Sequence, residues 1–410
     1  MNREHQLKQV IQKYVDEGQI AGAAAAVWRD GVMQAVWAGW RDIELRLPVE
    51  RDTIFRIASM TKPITSVAAL MLVEEGRIAL SDPISDYAPE FAKMRVLRRP
   101  DGPLEDNEEC ARPITVEDLL THRSGLTYAD FQRGPIARAY REALGRDIDI
   151  VVAPDDWIRR LAELPLVGQP GSAMYYGLST DLLGFLIARI EGPSLGAVLE
   201  RRIFGPLGMK DTGFTVPSEK RSRRASTHGF DDHGRLIRRT TWGSDPVLPE
   251  RPPNMAYESG GAGLWSTLDD YTTFARLFLC DGAVDGVRLL HPETLRVMMS
   301  NHLTDTQRQQ SCLLGQKPFA VGRGFGLGLS VVLETAPTDF MRRGGTGTVS
   351  WPGAFGGWWQ ADQGDNSVFL FLAHNMVDLA QMGKGIGLGV WAAIEEFQAA
   401  AMRVEREPAA

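Results

Sequence analysis

The chain has 410 residues, 44% of them hydrophobic, with 45 basic against 52 acidic side chains and a net charge of -7. That length and apolar content allow two or three lobes around a large core. The negative balance excludes a general attraction for nucleic acid or anionic lipid.

The N-terminal stretch MNREHQLKQVIQKYVDEG places Leu7, Val10, Ile11, Tyr14 and Val15 at amphipathic helical spacing. It lacks the apolar core of a signal peptide. Cys110, Cys280 and Cys312 are odd in number and far apart, with neither zinc-site spacing nor a disulfide framework. Both features lead us to expect a cytoplasmic protein.

After this helix, AGAAAAVWRDGVMQAVWAGWRD reads as two strands around the turn Arg29-Asp30-Gly31. A helix from Met60 to Glu75 follows, stopped at Gly76. Its apolar run, Ile64 to Val73, is about half the ~20 residues needed to span a bilayer, so no membrane span is expected.

From 86 to 284 the pattern is mainly helical. Two long irregular stretches, LRRPDGPLEDNEECARP and the segment from Val216 to Asn254, interrupt it. Loops of this length either wall an active-site mouth or are solvated surface decoration. Strand-like segments return at FGLGLSVVLE, GGWWQADQ and SVFLFLAHNM, before a last helix from about Gly389 to Arg403. Strands at both ends with helices between predict an α+β chain. Residues 1–85 and 285–410 are expected to form an antiparallel sheet flanked by helices, and 86–284 a mainly helical second lobe.

Ser59-Met60-Thr61-Lys62 is the chain's one Ser-x-x-Lys, and it sits where a loop turns into a helix. Residues three apart share a helix face, so the Ser59 hydroxyl is expected beside the Lys62 amine. A desolvated lysine can accept a serine proton, and the helix start stabilises negative charge nearby. A spacing of this kind also arises by chance. Its surroundings strengthen it: Thr61 and Pro63 suit a first turn, and the apolar run buries the helix.

With this motif the chain resembles class C serine β-lactamases, penicillin-binding proteins and, more closely, family VIII carboxylesterases. The resemblance extends over TVEDLLTHRSGL, GPLGMKDTGF and ESGGAGLWSTLDDYTTFARL. It implies a β-lactamase-like α/β sandwich with the active site in the cleft beside the helical lobe. QPGSAMYYGLSTDLLG matches the family's tyrosine motif, with Tyr176 in the tyrosine position and Tyr175 as its neighbour. β-Lactamases carry an asparagine or serine two residues further on, whereas Gly177 and Leu178 stand here. This departure resembles the esterase branch.

The stretch SWPGAFGGWWQAD looks like the family's third motif, with Trp351-Pro352-Gly353 in place of Lys-Thr-Gly. The esterase branch has Trp-Gly-Gly there, so Pro352 is a departure even from that pattern. An indole offers an apolar wall and one N–H donor where a lysine would hold a carboxylate. The resemblance implies Ser59, Lys62 and Tyr176 as catalytic residues and the backbone N–H groups of Ser59 and Ala354 as an oxyanion hole. It also implies Trp351, Gly353, Leu178 and Phe355 as substrate contacts. Arg342 or Arg343 is positioned in sequence to return a positive charge to the site.

These residues lead us to expect a serine hydrolase that cleaves small carboxylic esters with short or medium acyl groups. No metal, organic cofactor, nucleic acid or membrane partner is implied. A β-lactamase, D-amino-acid peptidase-like amidase or acyltransferase on the same fold is the enzymatic alternative, and a catalytically silent binding protein the non-enzymatic one. VGRGFGLGLS lacks the Rossmann order and reads as a strand. His122 reads as structural, and KRSRR at 220–224 as a solvated loop.

Overall fold

The computed structural model describes residues 3–145, 151–242, 245–246, 256–313, 316–336, 338–376 and 378–402. Its centre is an eight-stranded antiparallel sheet drawn from both ends of the chain. The strands are β1 (Gly22–Arg29), β2 (Val32–Asp42), β3 (Leu47–Pro48), β4 (Arg323–Phe325), β5 (Ser330–Val332), β6 (Val349–Gly353), β7 (Gly357–Asp362) and β8 (Ser367–Ala373). Their order is β4-β5-β6-β7-β8-β1-β2-β3. β1 therefore joins the N-terminal hairpin to the C-terminal strands, with Ala23 opposite Ala373 and Arg29 opposite Ser367.

The alanine run in β1 follows from this position. Successive side chains face opposite sides of a sheet, and both sides of β1 are covered. Ala24 and Ala26 meet the main core, which includes Ile64 and Val67 of helix α2 (Thr61–Glu74). Ala23 and Ala25 meet a second core with Leu7 and Ile11 of α1 (Arg3–Asp16). That outer layer is completed by Ile394 and Phe397 of the C-terminal helix Gly389–Met402. Small side chains let helices approach from both faces. No single helix among the described residues is long and apolar enough to cross a membrane.

Two boundaries differ from the sequence reading. The glycine-rich stretch 321–330, expected as one strand, holds β4 and a turn at 326–329 that leads into β5; Gly328 takes φ +90° there, and a Cβ on Gly326 or Gly328 would collide with Met298 O or Ser66. The helix expected at Met60 begins at Thr61, after a 3-10 turn at Ala58–Met60. Ser59 lies in that turn.

Candidate active site

The turn carrying Ser59 is held from several sides. Ala58 adopts φ +44°, a left-handed conformation uncommon for a residue with a Cβ. The Ile57 N–H donates to Leu264 O (3.0 Å), the Leu264 N–H to Thr61 Oγ1 (3.2 Å), and the Tyr271 hydroxyl to Met60 O (2.8 Å). Behind this turn α2 is buried almost all round, with Lys62 at 0% exposure.

Lys62 is surrounded by three oxygens. Its Nζ donates to Ser59 Oγ (3.3 Å), Tyr128 Oη (3.1 Å) and Gly261 O (2.8 Å). The last contact depends on a strap, residues 257–265, threaded between α2 and the helix α3 (Ser179–Glu191). A Cβ at Gly260 would stand 2.7 Å from Thr180 O and 3.2 Å from Gly184 Cα, so the strap can pass only without side chains there.

Tyr176 reaches the same serine from the loop before α3. Its hydroxyl donates to Ser59 Oγ at 2.7 Å and accepts from the Trp351 indole N–H at 3.2 Å. The ring lies in an aromatic cage: His122 at 4.7 Å, Trp351 at 5.4 Å, Tyr128 at 5.6 Å and Phe131, stacked, at 5.8 Å. The Lys62 ammonium sits 4.6 Å from its centroid, a cation–π contact that fixes both groups. Tyr175 instead packs against Gly168.

His122 lies under this cage. Its backbone is left-handed (φ +55°), its Nδ1 accepts from the Gly177 N–H at 3.4 Å, and its Nε2 lies 3.5 Å from Thr180 Oγ1. Burial, followed by the Lys62 charge, pushes its pKa well down, so the imidazole is neutral. It supports Tyr176 from behind, and its contacts with Ser59 run through that ring.

The expected substrate contacts divide. Trp351 joins the cluster through its indole N–H. Leu178 is 1% exposed within the main core, so its side chain packs the interior. Phe355 is turned onto His374 (4.9 Å) and packs with Ala58 and Met376. Both side chains pack into apolar surroundings beside the site. Gly353 does permit a close approach, but to protein: a Cβ there would stand 2.5 Å from Ile57 O. Ala354 occupies the second position of a turn closed by the Gly356 N–H on Gly353 O (3.0 Å), and the N–H of that position takes no part in the closing bond.

The arginines expected to supply positive charge are engaged elsewhere. Arg342 donates to Asp339 (3.1 Å), and Arg343 to Glu395 O and Gln398 in the outer layer (2.9 and 3.0 Å). Tyr128, Gly261 and Asp181 are site residues that the motif reading missed. Tyr128 stands two residues beyond the quoted THRSGL, and Asp181 is a lone acid in the apolar run STDLLG. The paired glycines of ESGGAG were the signal available for the strap.

With this geometry in view, likeness to known proteins is informative. A family model, Beta-lactamase, matches residues 7–385. Protein Rv1367c of Mycobacterium tuberculosis (strain ATCC 25618 / H37Rv) is 45% identical over 372 residues, 90% of either chain. Esterase EstB of Burkholderia gladioli is 32% identical over 380 residues, 87% of this chain and 86% of its own. Among solved structures, EstCE1, described as a hydrolase with promiscuous acyltransferase activity, superposes with a TM-score of 0.76 at 25% identity, covering 97% of this chain and 98% of its own. The chain belongs to the Beta-lactamase family and is a serine hydrolase of the β-lactamase-like superfamily.

Proposed function

We propose that the protein is a carboxylesterase of the family VIII type, working through an acyl-enzyme on Ser59. The observation that carries this reading is the contact of Ser59 Oγ with both Lys62 Nζ (3.3 Å) and the Tyr176 hydroxyl (2.7 Å). Of the two, the Tyr176 oxygen lies nearer to Ser59 Oγ, at 2.7 Å against 3.3 Å, and is taken here as the group that exchanges the serine proton. The Trp351 indole N–H donates to that oxygen at 3.2 Å, and Lys62 Nζ sits 4.6 Å from the centre of the Tyr176 ring.

In this mechanism Ser59 Oγ attacks the ester carbonyl and its proton passes to Tyr176. The backbone N–H groups of Ser59 and Ala354 hold the oxyanion, and Tyr176 returns the proton to the leaving alcohol. Water then repeats the sequence on the acyl-enzyme, with Tyr176 accepting its proton and Ser59 leaving. The cleft between the sheet unit (1–85 and 285–410) and the 86–284 lobe is part of the proposal, as is a cytoplasmic location, which rests on the three unpaired cysteines.

Substrate preference follows from what lies beside the nucleophile. Trp351 stands where β-lactamase relatives place a lysine, so the reacting carbonyl is expected in a neutral, partly apolar molecule. Esterase EstB, 32% identical, supports an ester. The test compares turnover of short p-nitrophenyl esters and of a chromogenic cephalosporin by the native protein and Ser59→Ala. Ester turnover lost with Ser59, beside slow cephalosporin turnover, is the expected result; ester turnover unchanged in the variant would abandon Ser59 as nucleophile.

Acyl transfer is a second reading, favoured by the likeness to EstCE1 and its described acyltransferase activity. Adding an alcohol acceptor to the ester assay distinguishes the two. New ester formed in proportion to acceptor indicates transfer, whereas free acid alone at high acceptor concentration indicates hydrolysis.

A further inference from the structure

Asp181 is a fully buried acid in the first turn of α3 (0% exposed), directly behind the strap that touches Lys62. Its Oδ1 accepts from the Ser259 hydroxyl (2.5 Å), the Gly261 N–H (3.2 Å) and the Tyr257 hydroxyl (3.4 Å). Its Oδ2 has no hydrogen-bond partner among the described residues, and a Cβ on Gly261 would collide with it. One residue thus spans both charges: the Gly261 N–H points to the carboxylate and its C=O to the ammonium of Lys62.

An acceptor for three donors could be an uncharged amide. A carboxylate with one bare oxygen in the interior is costly unless an opposite charge lies close by, and the Lys62 ammonium is that charge. The other titratable groups facing the pair are Tyr128 and His122 from the 121–128 segment, Tyr176 ahead of α3 and Tyr257 of the strap. Of these His122 is neutral. Burial pushes the Asp181 pKa up, and the Lys62 charge is the leading influence opposing it.

We infer that Asp181 is the counter-charge of Lys62, a positioning residue that acts on the lysine through the Gly261 peptide. The inference rests on the serine hydrolase reading above. It assigns Gly261 a matching part, because any side chain there would displace the bridge between the two charges.

The decisive variant is Asp181→Asn, which keeps the size and one acceptor oxygen but removes the charge. The rate of fluorophosphonate labelling of Ser59, followed by intact mass between pH 5 and 10, is expected to keep its pH dependence but shift it about one unit lower. Loss of a negative charge makes every neighbouring cation or phenol release its proton more readily. A slower reaction with an unshifted profile would mean a merely structural role and would overturn the inference. The carboxyl 13C signal of aspartate-labelled native protein gives a second measurement that needs no variant to fold. Asp181 ionised at pH 7 supports the counter-charge, and a protonated carboxyl overturns it. Failure of Ser59 to label at any pH in the native protein would instead remove the hydrolase reading itself, and with it the inference.

Discussion

The Tyr176 oxygen lies 2.7 Å from Ser59 Oγ, nearer than the 3.3 Å that separates Lys62 Nζ from the same atom. Proton transfer needs hydrogen-bond contact, so the phenol is the better placed partner and the lysine acts on both. Tyr176→Phe is expected to lower ester kcat by about 10²–10⁴-fold, the usual contribution of a positioned acid–base group. KM should change little. Steady-state kinetics beside a melting curve check this; a loss under tenfold in a folded variant would shift the base to Lys62.

Tyr128 Oη lies 3.1 Å from Lys62 Nζ and its ring closes the cage edge-on to Tyr176. Tyr128→Phe keeps the ring and removes that hydrogen bond, leaving the buried Lys62 Nζ with one partner fewer. We expect a smaller fall in kcat than for Tyr176→Phe, on the order of tenfold, because no proton of the reaction passes through Tyr128. Measuring both variants on one ester orders the two roles, and a larger effect at Tyr128 would place it in the transfer path.

Much of this arrangement was legible in the sequence because it is local or periodic. Ser59 and Lys62 share one turn, the hairpin announces itself at Arg29-Asp30-Gly31, and the alanine run of β1 marks a strand covered on both faces. Tyr176 was placed only through resemblance, since 117 residues separate it from Ser59. Asp181 and Gly261 stayed hidden for a physical reason. Their significance arises when the strap passes between two helices, and neither carries a spacing that foretells it. For Leu178 and Phe355 the sequence does not separate a substrate contact from core packing, because an apolar residue beside a motif reads alike in either place.

Gly353 ends β6 where the strand comes closest to the turn before Ser59, so any Cβ meets Ile57 O. Gly353→Ala should push the 353–356 turn, and with it Ala354, away from Ser59. If Ala354 completes the oxyanion hole, kcat falls by roughly 10²–10³, the cost of losing one such donor. Stability falls as well, by about 1–3 kcal/mol for overpacking. Hydrolysis rates and urea unfolding read the two separately, and unchanged kcat would remove Ala354 from the proposed hole.

Behind that turn, Phe355 packs on His374, whose Nδ1 lies 2.9 Å from Ser226 O. Burial, then the neighbouring His228, pushes the His374 pKa down to about 3. Burial brings that of His228 to about 4, against the opposing pull of Asp42. Both lie below the unfolded value near 6.5, so the unfolded chain binds more protons as pH falls. Stability is complete above about pH 6.5 and is lost progressively as pH drops toward 4 and 3, at up to about 1.4 kcal/mol per pH unit for each histidine. Carboxylates held below their usual range, such as Asp42, add to this only below about pH 4. The raised carboxyls of Asp181 and Asp270 act in the opposite sense, so the histidine contribution must be isolated. His374→Asn does so, because its amide N–H can replace Nδ1 without titrating. Urea unfolding at pH 7, 6 and 5 should show a steeper decline for the native protein than for this variant, and parallel declines would mean that His374 is not held neutral by the fold.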